Sequence, residues 1–448
     1  MTKAEWLLRK RPRRFKVSNP KATYAVIIIM GGDGDLSPMI AADLKEMVEG
    51  FREEVSVLLL IDMPGVTGAV VAETTPTGIR NLDQFKELST GDPRALAAFL
   101  ARALVSYSSK TRLALGFWGH GQGVHGDNDS GEVLLPAALL RKLLPQRPRP
   151  PRRRARGVSV QGMLPDETSR DILTNREARS ALAVAFARAE RKRPIDMIFS
   201  DTCLNGSVEV YTELREFAKA IVASSFPVAG TGWDYRTWLE QTATDKPASA
   251  QEWALIAVKC FEERYPIFRD LPPKYHEHQI AAFSTSPDLV KAFGRVVKAL
   301  MAMEQKPANL LLGEAVAQAG EHHIRRATTL DMQQLVQRLH DLAEGGPVKE
   351  ACSSFLEAFS EAQIGISAQP YEDFPLGGLT IWVPIAAWHD QAGVGQYYRK
   401  LEFAKKTKWL KCLKQVFSEL THLRYMEQPW PHASAPPWAR GRGPLPES

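Results

Sequence analysis

The rhythm of apolar and polar residues changes several times along this chain. YAVIIIM (24–30) runs without a polar interruption and is rich in β-branched side chains, the pattern of a strand covered on both faces. A glycine-rich loop, GGDGDLSP, follows, and then MIAADLKEMVEGF, in which apolar residues recur at helical spacing. VSVLLLIDM (55–63) predicts a second buried strand, and DPRALAAFLARALVSYS a helix with Asp92 as N-cap and Pro93 in its first turn. RLALGFWGHG predicts a third strand, ending in glycine and histidine. Further on, TNREARSALAVAFARAERK reads as a helix capped by Thr174 or Asn175, PIDMIFSD as a fourth strand, and VEVYTELREFAKAIVAS as a helix running into a short strand.

Strands alternating with helices of this length need right-handed crossovers, so the expected fold is α/β with a mostly parallel central sheet and helices on both faces. This core is expected over residues 21–250, with a basic insert at about 141–162. Residues 251–426 are mainly helical, broken by one β patch, GGLTIWVP, and are expected to pack on the core. Residues 1–20 read as a disordered basic arm, and the proline-rich stretch 427–448 as a disordered tail. No internal repeat is visible.

With 448 residues, 44% hydrophobic and 24% charged, the chain has the composition of a soluble globular protein and can bury a sizeable core. No stretch approaches the roughly 20 apolar residues of a membrane helix, so no membrane partner is expected. The N-terminus lacks the apolar region of a secretory signal, which makes the cytoplasm the expected address. Cys203, Cys260, Cys352 and Cys412 lie far apart, without CxxC or paired histidine spacing, so neither a disulfide framework nor a zinc knuckle is expected. The formal net charge of +6 is concentrated in RKRPRRFK and in RPRPPRRRARG (147–157). Neither run is interleaved with aromatic residues or set in a nucleic-acid-binding motif, so nucleic acid is not the expected partner.

Two strand ends carry the chemistry. In parallel sheets, sites gather at the carboxyl ends of strands, and there the chain places His120, in GFWGHGQG, and Cys203, in FSDTCLNGS. A cysteine peptidase needs a thiolate, a group that takes and returns a proton, and two N–H groups for the oxyanion. Cys203 offers the sulfur and its own N–H, His120 the imidazole, and Gly121 an N–H with no side chain in the way. Taken singly, each has an ordinary structural reading: a strand-end histidine, a buried thiol, a turn glycine.

In detail the chain resembles the clostripain family of cysteine peptidases, within the caspase-like group. LALGFWGHGQG is similar to that family's strand ending in W-x-H-G, and PIDMIFSDTCLNGSVEVYTELREFAKAIVAS to its D-x-C-L-x-G motif with the following helix. YAVIIIMGGDGDL, ELSTGDPRALAAFL, GTGWDY, GGLTIWVP and YYRKLEFAKKTKW extend the likeness over roughly residues 23–415. The resemblance implies a caspase-like sandwich, with Cys203 as nucleophile, His120 as general acid/base without a third residue, and Gly121 and Cys203 as oxyanion donors. It also implies cleavage after Arg or Lys, with Asp201 in the S1 pocket. Charge pairing agrees, because a buried guanidinium needs a carboxylate. Asp234, in GWDY, is a second candidate wall or else a turn cap, and SSFPVAG before it departs from the family's more acidic stretch.

The remaining candidates are weaker. No cofactor is needed for the chemistry and no dedicated metal site is expected. Calcium is possible at Asp33 and Asp35, which otherwise read as capping or solvated residues. His125 has no assigned role, and His322 with His323 reads as a solvated pair. The family is often made as a zymogen cut between its histidine and its cysteine. Proline disfavours cleavage after Arg147 and Arg149, so self-processing is expected at Arg152, Arg153, Arg154 or Arg156, the last two preferred. An enzyme that cuts after basic residues inside a cell needs control, so an activating or inhibiting protein partner is expected besides protein substrates, within a bacterial defence or cell-death pathway. The competing reading is a catalytically inactive caspase-like scaffold that binds protein or nucleic acid through its basic segments.

Overall fold

In the computed structural model, the uninterrupted apolar runs become the middle of a nine-stranded sheet. The structure describes residues 11–64, 68–85, 88–121, 123, 162–166, 168–169, 171–228, 230–265, 279–285, 288–319, 329–367, 376–383 and 394–416. In chain order the first elements are β1 (Tyr24–Gly31), α1 (Ser37–Glu49), β2 (Val55–Asp62), β3 (Val70–Thr75), β4 (Gly78–Gln84), α2 (Pro93–Ser106) and β5 (Arg112–Gly119). After the insert come β6 (Met163–Asp166), β7 (Asp171–Leu173), α3 (Asn175–Arg188), β8 (Ile195–Asp201), α4 (Val208–Leu214), β9 (Ala218–Ala223), α5 (Tyr235–Asp245) and α6 (Ala250–Arg264). The C-terminal part adds β10 (Ala281–Ser284), α7 (Leu289–Ala302), α8 (Gln305–Ala319), β11 (Thr329–Asp331), α9 (Met332–Leu342), α10 (Gly346–Ala362) and β12 (Gln363–Ile366). It ends with β13 (Thr380–Trp382), α11 (Val394–Lys400), α12 (Glu402–Thr407) and α13 (Trp409–Val416).

The sheet order is β12-β10-β9-β8-β5-β1-β2-β3-β4. The five central strands, from β9 to β2, are parallel, and antiparallel pairs close both edges. Because side chains alternate along a strand, β1 sends Ala25, Ile27 and Ile29 into one core with Leu96 and Phe99 of α2 and Leu182 of α3. It sends Val26, Ile28 and Met30 into the opposite core with Met47 of α1, Trp238 of α5 and Trp253 of α6. This is the expected α/β architecture, a mostly parallel sheet between helices. The pairing of β5 with β8 is also a seam in chain order, because the described strands on one side of it precede the insert and those on the other follow it.

Capping fixes where the helices begin. Asp92 accepts the Arg94 N–H at the start of α2. Thr174 and Glu177 form a reciprocal capping box at α3. Ser207 accepts the Val210 N–H, so that α4 starts five residues after Cys203.

Two expectations are corrected. The basic arm expected at 1–20 is not free over its described part, 11–20: Phe15 and Val17 are buried, and the Phe15 N–H donates to Ser106 Oγ at 2.8 Å. The Arg102 guanidinium lies 3.9 Å from the centre of the Phe15 ring, and Ser18 bonds to Glu73. Two apolar residues spaced by two put one side of an extended segment on the protein while the basic residues face out. The C-terminal region holds more β structure than its single expected patch. β10 and β12 extend the central sheet past residue 250, whereas GGLTIWVP supplies β13, which pairs with β11 in a separate two-stranded sheet. Among the described residues, no helix is long and apolar enough to cross a membrane.

Candidate active site

Strand register brings the two motifs together. Trp118 of β5 pairs with Asp201 of β8, and His120 and Cys203 lie two residues beyond that pair, at the carboxyl ends of adjacent strands. The turn after β5 fits tightly over the turn after β8, because a Cβ on Gly121 would collide with the Cys203 carbonyl oxygen and the Thr202 side chain. Glycine is therefore required at 121, and the Gly121 and Cys203 main chains are held side by side. Asn205 secures the β8 turn by donating through Nδ2 to Ser200 Oγ at 3.0 Å and to Thr202 Oγ1 at 2.5 Å.

His120 is held from two sides. Its carbonyl accepts the Leu164 N–H at 3.0 Å, and Gly121 bridges to Met163, so the hairpin after the insert lies against the histidine turn. On the other side, Nε2 is 2.6 Å from Asp35 Oδ1. Asp33, two residues earlier, is buried and accepts the Thr168 N–H at 2.9 Å. Burial pushes the Asp166 carboxyl of the same hairpin up to about 6, and the Asp33 charge adds to that rise. The two acids considered for calcium thus tie the β1 loop to the histidine and to the post-insert hairpin.

The Cys203 sulfur is half-buried and engaged by one segment. The Val228 N–H donates to Sγ at 3.3 Å, and the Val228 carbonyl lies 3.8 Å from it. Burial raises the thiol above its ordinary value, the Val228 N–H opposes this, and the Asp201 charge raises it further. A thiol raised in this way needs a base to become a nucleophile.

Beneath the cysteine, Asp201 is only 5% exposed. Its Oδ2 accepts the Tyr235 hydroxyl at 2.9 Å and the Trp233 N–H at 3.2 Å. Oδ1 has no donor among the described residues and is not one of the atoms sealed from solvent. Gly232, at φ +56, brings the main chain so close that a Cβ would lie 2.8 Å from Oδ2. Burial pushes Asp201 up to about 6, against the pull of the Tyr235 and Trp233 hydrogen bonds and the Arg264 charge. Behind it, Asp43 accepts the Trp118 indole N–H at 2.5 Å, and burial together with the Asp201 charge pushes Asp43 up to about 8.

Asp234 takes the second of its two expected roles. It caps α5, accepting the Thr237 N–H on Oδ1 and the Thr237 hydroxyl on Oδ2, each at 2.9 Å, while Arg264 stands 3.8 Å away. Arg264 itself is held by Glu46 and the Thr231 carbonyl. Cys260, Cys352 and Cys412 are buried in helices, as their spacing predicts. Arg152, Arg153, Arg154, Arg156, His125, His322 and His323 lie outside the described residues. The sequence did not reveal the contacts of Asp35, Val228, Tyr235 and Asp43. All four stood in quoted stretches, Asp35 in GGDGDLSP, Asp43 in MIAADLKEMVEGF, Val228 in SSFPVAG and Tyr235 in GTGWDY, but none of those stretches signals a contact across the sheet.

A parallel sheet with a histidine and a cysteine at adjacent strand ends, and a buried acid below, defines the class as a caspase-like cysteine peptidase. The clostripain-family sequence profile matches residues 152–415, more than half of the chain, and the protein belongs to that family. No curated protein matches the chain. Among solved structures, it is similar to a secreted cysteine protease from Bacteroides thetaiotaomicron in complex with an irreversible peptide inhibitor, with a TM-score of 0.61, 15% identity, and 87% of this chain and 99% of that one covered. It is also similar to an inactive zymogen protease from Parabacteroides distasonis, with a TM-score of 0.57, 17% identity, and 86% and 98% covered. At such identities these likenesses establish the shared fold.

Proposed function

We propose that this cysteine peptidase cleaves after Arg or Lys through a His120/Cys203 dyad, with Asp201 reading the basic side chain. The observation that carries the specificity is the Asp201 carboxyl, buried with Oδ2 occupied by two donors and Oδ1 without a donor among the described residues. A guanidinium or ammonium entering beside Cys203 meets a desolvated carboxylate, where charge-assisted hydrogen bonding is strong. With Asp234 engaged as a helix cap, the recognition falls to Asp201 alone.

The reaction follows from the groups present. His120 takes the Cys203 proton, and the thiolate forms a C–S bond to the scissile carbonyl carbon while the carbonyl π pair moves onto oxygen. The Gly121 and Cys203 N–H groups hold that oxyanion. Collapse breaks the C–N bond, and the amine leaves with the proton from His120. Water then attacks the thioester and gives a proton back to the imidazole, and Cys203 departs as the thiolate to be reprotonated. The first substrate is the chain's own insert, at Arg152, Arg153, Arg154 or Arg156, in a reducing compartment where all four cysteines stay free.

The test is hydrolysis of an Arg-ended fluorogenic peptide by the full chain and by Cys203→Ala under reducing conditions, with and without calcium. Each is assayed before and after limited trypsin cleavage quenched with soybean trypsin inhibitor. Cys203-dependent release is expected, together with, in the samples not treated with trypsin, insert fragments in the wild type only. A wild type no more active than Cys203→Ala in every condition would leave the inactive scaffold as the reading.

A further inference from the structure

Resting on the dyad reading, we infer that Asp35 is a positioning residue for the reaction: it holds the His120 ring by Nε2 and thereby leaves Nδ1 to exchange protons with Cys203 and the leaving amine. The observation is the 2.6 Å approach of Asp35 Oδ1 to His120 Nε2. An ionised carboxylate only accepts, so the nitrogen facing it carries the hydrogen and the other nitrogen keeps the lone pair of a base. When the ring becomes an imidazolium during acylation, the same carboxylate faces a full positive charge, and the hydrogen bond becomes charge-assisted.

The loop is built to deliver this group. Asp33, 2% exposed, is fixed by the Thr168 N–H at 2.9 Å. The Gly32 N–H is fixed by the Asp62 carbonyl at 3.0 Å, and the Ser37 N–H by the Gly34 carbonyl at 3.1 Å. Anchors on both sides of Asp35 restrict where its short side chain reaches, while the side chain itself is 76% exposed. It therefore contributes little to burial, and removing it should leave the fold intact. Without it the ring is free to turn and to present either nitrogen, which slows each proton transfer but leaves the pocket that binds substrate unchanged.

The experiment compares Asp35→Asn, Asp35→Ala and Asp35→Glu with the wild type in the full chain, using the peptide and trypsin treatment described above. Asn and Ala should lower kcat by about 10- to 100-fold with KM within about twofold, Glu should recover at least about tenfold of that loss, and all three should melt within about 2 °C of the wild type. A kcat for Asp35→Asn within twofold of wild type would overturn the inference. So would a loss that Glu does not relieve, or one that comes with a matching rise in KM or fall in melting temperature, since a structural loop residue would behave that way. Absence of Cys203-dependent turnover in the wild type removes the peptidase reading itself, and is distinguished because it is seen before any Asp35 variant is compared.

Discussion

Asp201 and Glu209 stand on either side of Cys203 and are bound by the same device. Each places one carboxyl oxygen against a tryptophan main-chain N–H and a tyrosine hydroxyl: Trp233 and Tyr235 for Asp201, Trp382 and Tyr398 for Glu209. Burial raises both, Asp201 to about 6 and Glu209 to about 7. They differ in the second oxygen. That of Glu209, Oε2, is sealed and without a partner among the described residues, whereas Oδ1 of Asp201 is not sealed. Glu209 pins β13 and α11 to the helix that follows Cys203, and Asp201 leaves one oxygen without a donor among the described residues. Burial and a raised carboxyl are thus common to both acids, and the second oxygen, sealed in Glu209 and not sealed in Asp201, is what separates a structural tie from the proposed recognition group.

The largest effect that would break this contrast is on Asp201. Asp201→Asn should lower kcat/KM on Arg and Lys peptides by about 100- to 1,000-fold, with little change in melting temperature. Equal loss on peptides with an uncharged residue before the cut would make Asp201 structural. Glu209→Ala should show the reverse in urea unfolding. Leaving the buried Trp382 N–H and Tyr398 hydroxyl without an acceptor should cost about 2–4 kcal/mol of stability, while protein that remains folded keeps its preference for basic residues.

Tyr235→Phe removes one of the two donors to Asp201, so KM for Arg peptides should rise by about three- to tenfold. The wild type sharpens the same point through pH. Asp201 is protonated below about 6, so KM for Arg peptides should climb as pH falls through that value, and in Tyr235→Phe the climb should begin at higher pH. The smallest effect is on Glu209→Gln. Glu209 is raised from 4.5 to about 7 in the folded protein. The native state therefore holds a proton that the unfolded chain has released between those values, and wild-type stability should decline as pH rises across that window. The glutamine variant should lack this share of the slope in denaturation curves measured between pH 5 and 8.

The sequence made the middle of this fold legible and its edges obscure. Strands β1, β2, β5 and β8 are covered on both faces and need nearly continuous apolar residues, so YAVIIIM and its counterparts stand out. The β3–β4 hairpin does not, because β4 lies at the sheet edge, where GIRNLDQ is largely polar and half or fully exposed. The turn TTPTG between the two strands was a usable signal. Strands β10 and β12 are four residues each, too short for period to decide. The placement of His120, Gly121 and Cys203 at adjacent strand ends was legible because each directly follows an apolar run that forms a central strand. Asp35 was not, since its contact with His120 joins residues 85 apart through sheet register, which no local pattern encodes. Asp234 stayed open between a pocket wall and a cap, since an N-cap accepts a main-chain N–H that any residue three positions on can supply.

The seam between β5 and β8 changes what a break in the basic insert means. The strand that carries His120 precedes the insert and the strand that carries Cys203 follows it, so a cut there would turn one polypeptide into two chains, each with one member of the proposed dyad. Catalysis then depends on a subunit interface made of a full strand pairing and two shared cores. Molecularity, not composition, is what the cut alters: a recombined enzyme would assemble with second-order kinetics, and its resistance to dilution would measure how firmly the nine-stranded sheet holds its two parts together.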